Sequence, residues 1–166
     1  MMNYTYGIYE LSVVQRLLGS MLDYATYGIG IELKDFYDAF LSSVYPEKIE
    51  RIDSRTVMGT SGIELCCEIA GTEVLKGDAL EEYELHAISG RSPEYWCGWA
   101  VAYYQWKTAM TFAEINDIAD IELVCQMYRK YHEMDITQFA DRLDELYREK
   151  NTDTKLKYMR TRLGLS

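Results

Sequence analysis

Few side chains in this sequence could carry out covalent or metal chemistry, and their spacing decides what they are for. Only two histidines occur, His86 and His132. Neither belongs to an H-E-x-x-H pattern, and the chain has no C-x-x-C, so it lacks the converging ligand spacing of a zinc site. His132-Glu133, near a helix end, reads as surface. The four cysteines are Cys66, Cys67, Cys97 and Cys125. One adjacent pair plus two distant thiols on apolar patterns is not a disulfide framework; they read as reduced core thiols of a cytoplasmic chain. Cys97 lies in the first turns of a helix, where the dipole favours a thiolate slightly. Tyr and Trp surround it at core spacing, however, so packing outweighs nucleophilic chemistry. Glu81 with Glu82, and Asp141 with Asp144 and Glu145, read as solvated faces. Nothing sets two of these carboxylates in different environments, as acid and base roles require.

Three patterns could bind rather than react. Gly59-Thr60-Ser61-Gly62 opens a helix, and free N–H groups at such an opening can hold an anion. It is neither a P-loop nor a G-x-S-x-G elbow, and the reading it favours is an ordinary helix cap. Trp96, Trp99, Tyr103 and Trp106 form a row on one helix that can line a ligand pocket or partner surface, or simply be core. If the row is core, Trp99→Ala should cost about 3–5 kcal/mol. At the C-terminal end, Lys155, Lys157, Arg160 and Arg162 are candidate phosphate contacts. They give residues 152–166 a net +3 against Asp153, leaving −13 on the rest of a chain whose overall charge is −10. Such an acidic body repels nucleic acid.

The elements that position these groups read as helices. Tyr9 to Tyr27 carries Leu11, Val14, Leu18, Met21 and Ala25 at helical spacing, and Gly28 and Gly30 stop it. Leu33 to Val44 is a second amphipathic helix, ended by Pro46. Residues 47–52 suit a short turn of helix, and residues 53–59 a loop. Ser61 and Glu64 make a capping box for a helix closed by Gly71. Tyr83, Leu85 and Ala87 alternate with polar residues, which predicts an extended or irregular connection over 72–91, with a short extended segment near 80–90. Ser92-Pro93 starts a helix running to about Ala109 that is apolar nearly all round, the spine of the fold. Thr111, Asp120 and Asp135 begin three more. Asn151 to Thr154 is a polar break before a last basic helix over 155–163. The chain is therefore expected to be all-α: a single-domain multi-helix bundle around a central Trp/Tyr-rich helix. Residues 1–150 form the body, and residues 151–166 a linker and short helix.

The length of 166 residues suits one core, and a 48% hydrophobic, 27% charged composition is ordinary for a globular chain. No secretory signal and no membrane span is evident, which points to the cytoplasm.

Two stretches carry a resemblance. Residues 154–166, TKLKYMRTRLGLS, resemble the opening helix of a lambda-repressor-like (XRE-type) helix-turn-helix domain. The body is similar to an N-terminal domain found ahead of such modules in Firmicutes, often beside toxin–antitoxin genes. That likeness lies in residues 58–65 (MGTSGIEL) and 92–99 (SPEYWCGW), continuing through Tyr103-Tyr104-Gln105-Trp106. The resemblance implies a non-catalytic regulatory or antitoxin-like domain that binds a protein partner: a toxin, a defence protein or a second copy as a homodimer. It implies no cofactor. With the turn and recognition helix missing after Ser166, no specific DNA binding is expected. Two other readings are a stand-alone acidic inhibitor that mimics nucleic acid, and a small-ligand binder using the aromatic helix.

Overall fold

Leu11, Val14, Leu18 and Met21 give α1 (Ile8–Asp23) one apolar stripe. In the computed structural model, which describes residues 6–165, that stripe is buried, with Val14 and Met21 at 0% exposure. The helix then widens into a π-helical turn, Tyr24–Ile29, which Gly30 ends in the left-handed conformation. Gly28 makes the wide turn fit, since a Cβ there would stand 2.6 Å from the Tyr24 ring. Tyr24 is fully buried, and its hydroxyl accepts from the Leu75 N–H at 3.0 Å.

The spine, α7 (Pro93–Thr108), starts with Pro93 in its first turn and the Ser92 hydroxyl accepting from the Tyr95 N–H at 3.1 Å. It crosses α1 over the most extensive helix–helix contact in the protein. The backbones come close because glycine lies in the seam. A Cβ on Gly98 would fall 2.4 Å from the Leu18 carbonyl oxygen, and one on Gly19 would fall 2.9 Å from the Tyr95 ring. Ala100, Val101 and Ala102 are buried alongside. α5 (Gly62–Ala70) meets α1 in the same way at Gly62, whose Cβ would lie 2.6 Å from the Leu17 carbonyl oxygen. α9 (Ile121–Tyr131) covers α7, and the Cys97 thiol points its Sγ at the Ile121 carbonyl, 3.6 Å away.

Four helices fill out the core: α2 (Leu33–Ser42), α3 (Tyr45–Glu50), α4 (Ser54–Val57) and α8 (Phe112–Ile118). They contribute Phe36, Phe40, Ile49, Val57, Phe112 and Ile115. The last two elements are α6 (Gly77–Ser89) and α10 (Ile136–Arg162). The described residues form an all-α bundle with no strand, and no helix is long and apolar enough to cross a membrane.

Several local expectations are corrected. The segment near 80–90 is helix α6, not an extended strand. Tyr83 turns inward at 7% exposure with His86 three residues on, while Asp78, Glu81, Glu82, Leu85 and Ile88 face out. Burial of only one narrow stripe mimics a two-residue alternation, whereas Ala, Leu and Glu favour the helix they form. The polar break at residues 151–154 does not exist, because α10 runs through it for 27 residues. Asn, Thr and Asp each cost only about 0.5 kcal/mol in a helix interior, too little without Gly or Pro to stop one. Pro46 opens α3 rather than ending α2, and residues 54–57 make a helical turn inside the expected loop. Thr111 and Glu114 complete a capping box; at Ser61 the side chain caps Glu64 N–H without the return bond.

Candidate functional site

The four aromatic residues of the α7 row share one side of the helix but not one environment. Trp96 and Trp106 are buried, at 8% and 7% exposure, whereas Trp99 and Tyr103 are half-buried. The Trp106 indole N–H donates to the Tyr6 carbonyl at 2.6 Å, and its ring lies 5.7 Å from that of Tyr103. Trp96 stands edge-on to Phe139 at 5.3 Å and to Tyr128 at 5.9 Å. The cost of truncating a buried aromatic therefore belongs to Trp96 and Trp106, and Trp99→Ala should cost less than the sequence suggests.

Trp96 and Trp99 form one wall of a groove of about 310 Å³. Tyr128 and His132, successive turns of the α9 end, stack at 4.1 Å and 19° to make the opposite side. His132 Nδ1 lies 2.7 Å from the Tyr128 carbonyl oxygen, which only accepts, so Nδ1 carries the proton and the ring is held in place. Tyr95 and Arg91 close the remaining edge, with the guanidinium 4.6 Å over the Tyr95 ring.

The Gly59, Thr60, Ser61 and Gly62 segment is a capped helix entry, with Gly59 and Ser61 exposed and Gly62 buried. The Thr60 hydroxyl donates to the Arg55 carbonyl at 3.1 Å, the Ser61 hydroxyl accepts from Glu64 N–H at 3.1 Å, and Gly62 abuts the α1 backbone. The basic residues Lys155, Lys157, Arg160 and Arg162 lie far along α10, all exposed. From Tyr147 to Leu165 every residue is exposed. The last tether to the body is the Lys150 ammonium on the Asp117 carbonyl. Leu156, Met159 and Leu163, at 51%, 47% and 67% exposure, share one face of this projection.

A buried polar cluster escaped the sequence reading. Asp23, 4% exposed, accepts from the Ser92 hydroxyl at 2.5 Å and the Tyr83 hydroxyl at 2.8 Å, and faces His86 Nε2 at 3.1 Å. His86 stacks on Tyr27, whose hydroxyl donates to Glu94 at 3.0 Å. Burial and the Asp23 carboxylate push the Tyr83 phenol well above its usual range. Serine, histidine and aspartate meet here in the wrong order for a nucleophilic relay, which needs the imidazole between carboxylate and hydroxyl. Here the carboxylate is central, and Ser92 is buried as a helix cap. The visible signal was Asp23 itself, a charge inside the apolar stripe of α1.

Cys66 and Cys97 are buried thiols withdrawn from reaction. Burial pushes Cys66 up to about 12, raises Cys97 well above the ordinary thiol range and raises Cys125. At pH 8 a thiol near 12 holds only about one thiolate in ten thousand. Cys66 and Cys97 should therefore stay unmodified by a thiol-titrating disulfide reagent in the native protein and react at once in denaturant. Rapid native reaction of Cys97 would restore it as a nucleophile. Among the described residues no three His, Cys, Asp or Glu side chains gather to hold a metal. Comparison with protein-family models, characterised proteins and solved structures found no match.

Proposed function

We propose that this chain is a non-catalytic interaction domain, the body of a small regulator, that self-associates through the projecting half of α10. The exposed run from Tyr147 to Leu165 carries this reading: an amphipathic helix held out from the body with its apolar stripe uncovered. Lys155 and Lys157 flank that stripe, and Arg160 sits within it. The occupant that fits by charge is a second copy of this chain, since residues 152–166 carry +3 and the remainder carries −13.

The complementary surface is the outer face of α6. Asp78, Glu81 and Glu82 are exposed there beside Leu85 and Ile88, at 70% and 81% exposure. The 13 residues of α6 span about 20 Å, close to the length of the projecting turns. A reciprocal exchange, each tail on the other's α6, is the self-complementary arrangement of a two-fold dimer. A regulator body of this kind needs no reactive group, in keeping with the buried Cys66 and Cys97 thiols and the carboxylate-centred cluster.

Sedimentation velocity tests it. The intact chain should associate, and added salt should weaken the association because exposed ion pairs are screened over roughly 8–10 Å. Leu156→Glu, Met159→Glu and Leu163→Glu together should weaken it at least about tenfold. All three residues are exposed, so stability should hold within about 0.5 kcal/mol. A wild-type chain that stays monomeric at every concentration and salt level would overturn the reading.

A further inference from the structure

The groove between α7 and α9 is lined by four aromatic side chains, one histidine and one arginine. The chain carries −10, yet no carboxylate lines this groove, and its fixed charge is the Arg91 guanidinium. Arg91 rests on the Tyr95 ring and makes no ion pair among the described residues. An arginine without a carboxylate is a ready partner for an anion.

Its walls also present donors without acceptors. The indole N–H groups of Trp96 and Trp99 have no hydrogen-bond acceptor among the described residues. Trp96 is 8% exposed, and a buried indole N–H normally finds a partner. The only sealed, unpartnered side-chain polar atom among the described residues is the Thr26 hydroxyl, so the Trp96 nitrogen still reaches solvent. The contrast within the same helix is Trp106, whose N–H is bonded to the Tyr6 carbonyl.

The aromatic faces define the rest. Trp99, Tyr95 and the Tyr128–His132 stack offer flat surfaces around about 310 Å³, within the range of small-molecule sites. His132 Nε2 lies 3.6 Å from the Glu133 carboxylate.

We propose that this groove binds a planar aromatic ligand bearing an anionic group, its ring stacked on the aromatic walls and its anion on Arg91. Two sources offer that chemistry, an aromatic carboxylate and a nucleotide. The site is separate from the α10 projection and does not depend on self-association.

The three tryptophans give three indole N–H signals in a nitrogen–proton correlation spectrum of the ¹⁵N-labelled chain, assignable by single Trp→Phe variants. Indole-3-acetate and adenosine monophosphate serve as the two probes, with indole-3-acetamide and adenosine as their uncharged counterparts. One charged probe should shift the Trp96 and Trp99 signals saturably, leave Trp106 in place and bind at least tenfold more tightly than its uncharged counterpart. Which of the two does so assigns the anion as carboxylate or phosphate. Arg91→Ala, at an exposed position, should weaken that binding at least tenfold with an unchanged melting temperature. Trp99→Phe should keep most of the affinity and Trp99→Ala should lose it. The proposal is overturned if neither charged probe shifts those signals, if all three indoles move together, or if Arg91→Ala binds like wild type.

Discussion

Gly98→Ala should destabilise the folded chain by about 3 kcal/mol, near the upper end for overpacking a tight contact. The added methyl would lie 2.4 Å from the Leu18 carbonyl oxygen, 2.6 Å from the Leu18 carbonyl carbon and 2.8 Å from the Gly19 nitrogen. All three are backbone atoms in a helix, so none can rotate aside as a side chain would. The only relief is to part α1 from α7, which opens the largest contact in the protein and loosens the packing around Leu18, Val101 and Ala102. In a domain of this size such a loss lowers the melting temperature by roughly 6–12 °C. Urea unfolding with an unchanged denaturant slope would assign the effect to the native state. A change below about 0.5 kcal/mol would show that the two helices do not meet at this glycine.

Asp23→Ala comes next, at about 3–5 kcal/mol, the range for breaking a buried, hydrogen-bonded charge cluster. Its carboxylate is the common acceptor for Ser92 and Tyr83 and the partner of His86, joining α1, α6 and the start of α7. Removing it strands two buried hydroxyls, each costing about 1–3 kcal/mol when left unsatisfied. It also frees α6, whose only buried side chain is Tyr83. Asp23→Asn keeps the volume and one acceptor oxygen but turns a donor towards one of the existing donors, so it should lose less than alanine. Tyr83→Phe removes a single bond and should cost about 1 kcal/mol. Chemical denaturation of the three variants checks this order. Equal losses for Asp23→Ala and Asp23→Asn would mean that charge, not hydrogen bonding, holds the cluster.

Elements with a wide apolar face were legible in the sequence. The α1 stripe, the Ser92-Pro93 start of α7, the Thr111 box and the Asp120 and Asp135 caps all lie where local chemistry sets them. Two kinds of feature were not. Elements with a narrow or absent buried face misled, since α6 buries Tyr83 and little else, and in α10 the exposed polar run at 151–154 looked like a break although nothing in it stops a helix. Long-range polar contacts were silent as well. Asp23 is separated from its partners by 60, 63 and 69 residues, and no local pattern joins them. The Trp row was visible as a row. Its division into the hydrogen-bonded Trp106 and the groove-lining Trp96 and Trp99 depends on Tyr6 and Tyr128, which come from elsewhere in the chain.

Hydrogen–deuterium exchange of the intact chain, at low and high protein concentration, addresses the interaction reading most directly. Raising the concentration should slow exchange along residues 150–163 and over α6, while the buried α1 and α7 stay as they are. Exchange over 150–163 that is fast and identical at both concentrations would contradict a self-associating α10.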